Sequence, residues 1–173
     1  MSQNLKVKRF KFEFTRPNDT TTYTAQDCVS DSTTAPTTFA LVSQNPDGTT
    51  PTFTLNPGGS YQIKTVKLTA SSVTTTNANF DLYFYTSGVT NTNDNAAMPL
   101  LYSNKEGRIG KTSMVLATAG TGSDCAESTN TDVNLTFIAQ ATTIYMKVLV
   151  TAAYVPIARE NFFIEVEIIR LND

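Results

Sequence analysis

The sequence predicts an all-β protein, an antiparallel β-sandwich of jelly-roll-like type with little or no helix. Three observations lead there. Threonine is heavily used, at roughly one residue in six, and together with Val, Ile, Phe and Tyr it favours pleated, half-buried surfaces. Apolar residues alternate with polar ones in short runs, and clusters of Gly, Pro, Asn and Asp punctuate those runs at a spacing of roughly 10 to 20 residues. Long polar connections alternate with short ones, as in sandwiches whose chain crosses repeatedly between two sheets.

Length and charge bound the rest. At 173 residues the chain is expected to form one sandwich domain over residues 1–173, with a core large enough to bury roughly 70% of the unfolded surface. Charged residues make up 16%, the net charge is −2 and the pI is about 5.1, so no overall positive field draws nucleic acid. No apolar run approaches the roughly 20 residues of a membrane span, and MSQNLKVKRF lacks the continuous apolar segment of a secretory signal. A chain without such a signal keeps its cysteines reduced. Cys28 and Cys125 are therefore expected to be free thiols, and their wide separation fits neither a zinc ribbon nor a redox CxxC.

Taken in order, residues 5–14 open with Leu5 and Val7 on one parity and Phe10, Phe12 and Phe14 on the other; a bulge near Arg9 would bring all five to one face. Lys6, Lys8, Lys11 and Glu13 would then share the solvent face. Arg16-Pro17-Asn18-Asp19 reads as a turn, and in residues 20–29 Tyr23, Ala25 and Cys28 are candidates to pack. Phe39, Leu41 and Ser43 suggest a short strand ended by Asn45-Pro46-Asp47-Gly48, and Phe53 and Leu55 another ended by Asn56-Pro57-Gly58-Gly59. Residues 61–72 change parity between Ile63 and Val66, again a bulged or twisted strand. The clearest strand is Phe80-Asp-Leu-Tyr-Phe-Tyr85, which passes into a polar loop holding Asn93, Asp94 and Asn95. Residues 112–116 are a further strand and residues 117–131 a second long loop. Leu135 and Phe137 mark a short strand. Ile144, Met146, Val148 and Val150 line one face of the next, and Phe162, Ile164, Val166 and Ile168 face inward from the last, with Phe163, Glu165 and Glu167 outward. First and last strands are expected to pair near one edge, setting the lysines beside Glu165 and Glu167.

The chain has no histidine, which removes the commonest general base and the commonest metal ligand together. A carboxylate mechanism survives: Glu165 and Glu167, two apart on a strand, stand about 7 Å from each other, a separation used by inverting glycosidases. Basic neighbours and the absence of tryptophan favour a solvated, ion-paired face instead. Asp94 among Asn91, Asn93 and Asn95 has the oxygen alternation of a calcium loop but lacks its glycine and distal glutamate. Asp124 to Glu127 is a comparably weak candidate, and Asn and Asp capping their own turns accounts for both. The glycine pairs open no helix and cradle no phosphate. No catalytic, metal or cofactor residue is assigned, and the protein is read as a non-enzyme. Tyr83 and Tyr85 make the 80–85 strand apolar on both faces, so it needs cover from its own domain or from a neighbouring chain. The candidate interface residues are Tyr83, Tyr85, Asn93, Asp94, Asn95, Met98 and Phe163.

Five segments, Tyr23-Thr-Ala-Gln-Asp27-Cys-Val-Ser30, Gly58-Gly59-Ser60-Tyr61-Gln-Ile63, Phe80-Asp-Leu-Tyr-Phe-Tyr85, Asp94-Asn-Ala-Ala97 and Ala153-Tyr154-Val-Pro156, occur in an order that resembles a group of tailed-bacteriophage virion proteins. Gln26 stands where that pattern has Gly, and Val155 where it has Thr. The resemblance implies a structural component of a virion made in the host cytoplasm. Such a component would be an auxiliary or decoration protein of the capsid or a head-fibre part, with the major capsid protein or other virion subunits as partners and a homo-oligomeric state. The alternative is a carbohydrate- or receptor-binding module of a tail or fibre, using the loops around Asp94 and Asp124.

Overall fold

The computed structural model describes residues 7–44 and 54–171. The described residues form β1 (Val7–Thr15), β2 (Cys28–Val29), β3 (Phe39–Ala40), β4 (Val42–Gln44), β5 (Ser60–Ala70), β6 (Asn79–Tyr85), β7 (Arg108–Val115), β8 (Ala117–Thr118), β9 (Ala126–Asn130), β10 (Leu135–Ile138), β11 (Tyr145–Val150) and β12 (Asn161–Arg170), with 3-10 turns at Val73–Thr75 and Tyr102–Asn104. All pairings between these strands are antiparallel. A seven-stranded sheet runs β4-β1-β12-β5-β9-β8, with β10 also on β5; a five-stranded sheet runs β2-β11-β6-β7, with β3 also on β11. The chain passes repeatedly from one sheet to the other, and the two pack as the predicted β-sandwich.

Period-two alternation explains the core. Phe162, Ile164, Val166 and Ile168 point inward from β12, and Met146, Val148 and Val150 from β11. They meet Phe80, Leu82 and Phe84 of β6 and Val66, Leu68 and Ala70 of β5 in one apolar cluster. Phe80 stands edge-on to Phe162, with ring centroids 5.7 Å apart, a favoured aromatic geometry. The parity change in β5 is a bulge: Ile63 faces Ile168 and Thr65 faces Glu167, which leaves Lys64 as the extra residue. That bulge keeps both halves of β5 facing the core. It also divides the far edge of β5, where β10 pairs before it and β9 after it.

β1 differs from expectation. It pairs with β12 in unbroken register from Val7 opposite Ile169 to Thr15 opposite Asn161, so no bulge lies near Arg9. Val7 consequently shares the outer face with Arg9, Lys11 and Glu13 and is exposed, while Lys8 takes the parity of the phenylalanines. Ala25 is also exposed rather than packed. The 39–43 run is split, because Phe39 and Ala40 pair with β11 of one sheet and Val42–Gln44 with β1 of the other. Residues 117–131, read as a loop, contain β8 and β9. Leu5, Lys6, the 45–48 turn and Phe53 lie outside the described residues. Among the described residues no helix is long and apolar enough to cross a membrane.

Candidate functional site

β6 is buried on both faces. Its inner face belongs to the main core. On its outer face Tyr83 and Tyr85 join Cys28, Val89, Met98 and Leu149 in a second apolar cluster, with Tyr145 packed beside it. The cover is the chain's own excursion between β6 and β7, residues 86–107. Its base is closed by the Thr86 N–H donating to Gly107 O at 2.7 Å. Its middle lies antiparallel to residues 26–32: the Asp94 N–H donates to Ser32 O, the Asn95 N–H to Cys28 O, the Cys28 N–H to Ala96 O and the Met98 N–H to Gln26 O. A loop composition therefore hides an added edge to the five-stranded sheet.

Asp94 fixes this excursion from inside. Its Oδ2 accepts from Arg16 Nη2 at 2.8 Å, and its Oδ1 accepts from the Tyr23 hydroxyl at 2.6 Å and the Ser30 N–H at 2.9 Å. Both side chains of the Arg16–Asp94 pair have no solvent-accessible surface. Arg16 Nε donates to the Tyr23 hydroxyl, and Nη1 donates to the carbonyls of Asp19 and Ile157. Tyr23 stacks on Tyr154 with ring centroids 5.1 Å apart. Burial, followed by the Asp94 charge, pushes the Tyr23 hydroxyl far above its ordinary pKa, which favours the protonated form that donates to Asp94. Beyond Tyr154 lies Glu160, which is fully buried and accepts from the Thr75 hydroxyl. One polar cluster thus ties together the turn after β1, the 20–32 crossing, the β6–β7 excursion and the β11–β12 connection.

The seven candidate interface residues do not form one patch. Tyr83, Tyr85, Asp94 and Met98 are buried within the chain. Asn93 is exposed, Asn95 is half-buried, and Phe163 is half-buried on the outer face of the other sheet. Contact through the buried four would require the excursion to lift. Both Asp94 oxygens are committed to Arg16, Tyr23 and Ser30, which leaves neither for a cation. Glu165 and Glu167 stand opposite Lys11 and Arg9, and Arg9 Nε bonds Glu167 at 3.2 Å, so the expected ion pairing is seen at Glu167, with Lys11 placed across from Glu165. Cys28 and Cys125 are free thiols; burial pushes the Cys28 thiol up to about 12.

The sequence reading missed Arg16, which it placed in a turn, and Glu160. A cation immediately after a strand of phenylalanines was the available signal for Arg16. It missed also the solvent side of the excursion, where Leu100, Leu101 and Tyr102 are 45%, 51% and 78% exposed. That is a contiguous apolar run on a loop whose inner side is pinned.

No family model matches the sequence, and no curated protein matches it. Among solved structures, a chain of a cyanophage Pam1 capsid asymmetric unit aligns with 98% of this chain and 86% of its own length, at 12% identity and a TM-score of 0.34.

Proposed function

We propose that the protein is a non-enzymatic structural component of a bacteriophage virion, an auxiliary or decoration protein that binds the major capsid protein or a neighbouring virion subunit. The observation that carries this reading is where the sequence segments resembling phage virion proteins lie in space. Tyr23 and Ser30 from the first, Asp94 from the fourth and Tyr154 from the fifth meet in the Arg16–Asp94 cluster, and Asp27 bridges to Ala97. Short motifs far apart in sequence are thus parts of one structural unit, which supports a resemblance of the unit rather than of scattered strands. The strand order β1-β12-β5-β9 facing β2-β11-β6-β7 we read as that of a jelly roll.

The contact surface in this reading is the solvent side of the pinned excursion, centred on Leu100, Leu101 and Tyr102. An exposed apolar run on a fixed backbone loses little conformational freedom on association and offers aromatic and aliphatic anchors to a partner subunit. Mass spectrometry of purified particles should find the chain at a fixed ratio to the major capsid protein. Purified wild-type protein should bind capsids assembled without it, and Leu101→Asp should weaken that binding at least tenfold with an unchanged circular dichroism spectrum. Protein that is absent from particles and fails to bind capsids would overturn the proposal.

A further inference from the structure

The buried cluster contains three groups able to carry charge in its centre, and they do not balance. Arg16 and Asp94 form a closed pair. The remaining Arg16 donors go to the Tyr23 hydroxyl and to the carbonyls of Asp19 and Ile157. Glu160 is the third, fully buried at the entry to β12. Its Oε1 accepts from the Thr75 hydroxyl, while its Oε2 and the buried Tyr154 hydroxyl have no hydrogen-bond partner among the described residues. The groups around it are Thr75 from the 3-10 turn, Arg16 from the turn after β1 and Tyr154 from its own connection, with Tyr23 and Asp94 beyond Arg16. Among the described residues no cation bonds the Glu160 carboxyl. A carboxylate in that setting would keep a single neutral donor and one bare oxygen, an expensive burial, whereas a carboxylic acid suits it.

We propose that Glu160 is a proton-binding site, sealed by folding as the neutral carboxylic acid, and that its ionisation at higher pH loosens the junction between the β11–β12 connection and the turn after β1. The junction is close: the Arg16 N–H donates to the Glu160 carbonyl at 2.8 Å and the Arg159 N–H to the Pro17 carbonyl at 3.1 Å. A charge at Glu160 therefore acts where three segments are joined. Burial raises the affinity of Glu160 for its proton, against the smaller opposing effects of Thr75 and Arg16. The sign follows. A carboxyl whose proton is held more tightly in the folded chain contributes stability that is fully present below its unfolded pKa, about 4.5, and that is lost as pH rises through its folded value.

The test is equilibrium urea unfolding of the full chain from acid to mildly alkaline pH, for wild type and Glu160→Gln. Glutamine keeps the acceptor for Thr75 and carries no charge. Above about pH 4.5 the wild-type unfolding constant should rise roughly tenfold per pH unit more steeply than that of the variant, one proton's worth, until the folded value is passed. Parallel curves would overturn the proposal. Should the variant fail to fold, wild-type protein labelled with carboxyl-13C glutamate decides by itself: one resonance should stay in the protonated position where the others have ionised. Titration of every glutamate in the ordinary range would overturn it equally.

Discussion

The sandwich has two outer faces, and the chain treats them differently. On the seven-stranded sheet the outward positions of β1, β12, β5 and β9 form rows across the strands. Arg9 lies beside Glu167 and Thr65; Lys11 lies beside Glu165 and Lys67; Glu13, Phe163, Thr69 and Glu127 form a third row. Arg9 pairs with Glu167 and Lys67 with Glu127, all four partly exposed. On the five-stranded sheet the outward positions of β6 and β11 are Asp81, Tyr83, Tyr85, Tyr145, Lys147 and Leu149, with Asp81 ion-paired to Lys111 of β7, and residues 86–107 roof the tyrosines. Lys147 is buried there, which lowers its affinity for a proton. The difference teaches that an apolar second face on a strand announces a cover without naming its source. Here the source is the chain itself, and the cover is held by backbone bonds to residues 26–32 and by a buried ion pair beneath it.

The largest expected effect comes from breaking that hold. Asp94→Ala leaves the Arg16 guanidinium buried without its partner, which should cost about 3–5 kcal/mol, a large part of a typical domain's stability. Thermal unfolding measures the loss. Cys28, beneath the roof, supplies a local readout: with its thiol near 12 and no exposure, it should react with iodoacetamide about a thousandfold more slowly than an ordinary thiol. In Asp94→Ala that protection should fall, while the half-buried Cys125 reacts at an unchanged rate. The double substitution Arg16→Met with Asp94→Leu removes both charges, and should recover most of the stability. Full protection of Cys28 in Asp94→Ala would mean the pair does not hold the roof.

Next in size is a matched pair of aromatic truncations. Tyr85 is 2% exposed beneath the excursion, so Tyr85→Ala should cost about 3 kcal/mol or more through lost burial and the cavity left behind. Phe163→Ala, on the open face of the other sheet, should cost about 1 kcal/mol, because a half-buried ring loses only part of its contact area. Urea midpoints compare the two directly. Equal losses would show that the faces are energetically alike and would remove the distinction drawn between them.

Much of the sandwich is legible in its strands, and the reason is parity. Phe162, Ile164, Val166 and Ile168 alternate with Glu165 and Glu167 because β12 buries one face, and the parity change between Ile63 and Val66 marks the Lys64 bulge in β5. β9, Ala126–Asn130, escapes such a reading since only Ala126 among its five side chains is buried; a strand held between β5 and the two-residue β8 by backbone bonds leaves no apolar pattern. β2 and β3 are too short to show any period. The cluster was the least legible. Asp94 looks like a turn or cation residue because its neighbours are polar, and its partner Arg16 lies 78 positions away. Backbone pairing of residues 94–98 with residues 26–32 brings them together, and no local signal encodes that pairing.

The smallest expected effect lies on the charged face. Arg9 and Glu167 have side chains 52% and 26% exposed, so water screens the pair and the long arginine loses freedom by holding it. Glu167→Gln should therefore cost less than about 1 kcal/mol, and raising the salt concentration should narrow the gap to wild type. The opposite salt behaviour is expected of Asp94→Ala, whose deficit comes from a pair sealed from solvent and should persist in salt. The contrast between the two salt responses, rather than either loss alone, separates a face that is ion-paired for register from a cluster that is ion-paired for closure. A Glu167→Gln deficit as large and as salt-resistant as that of Asp94→Ala would place both faces under the same physics.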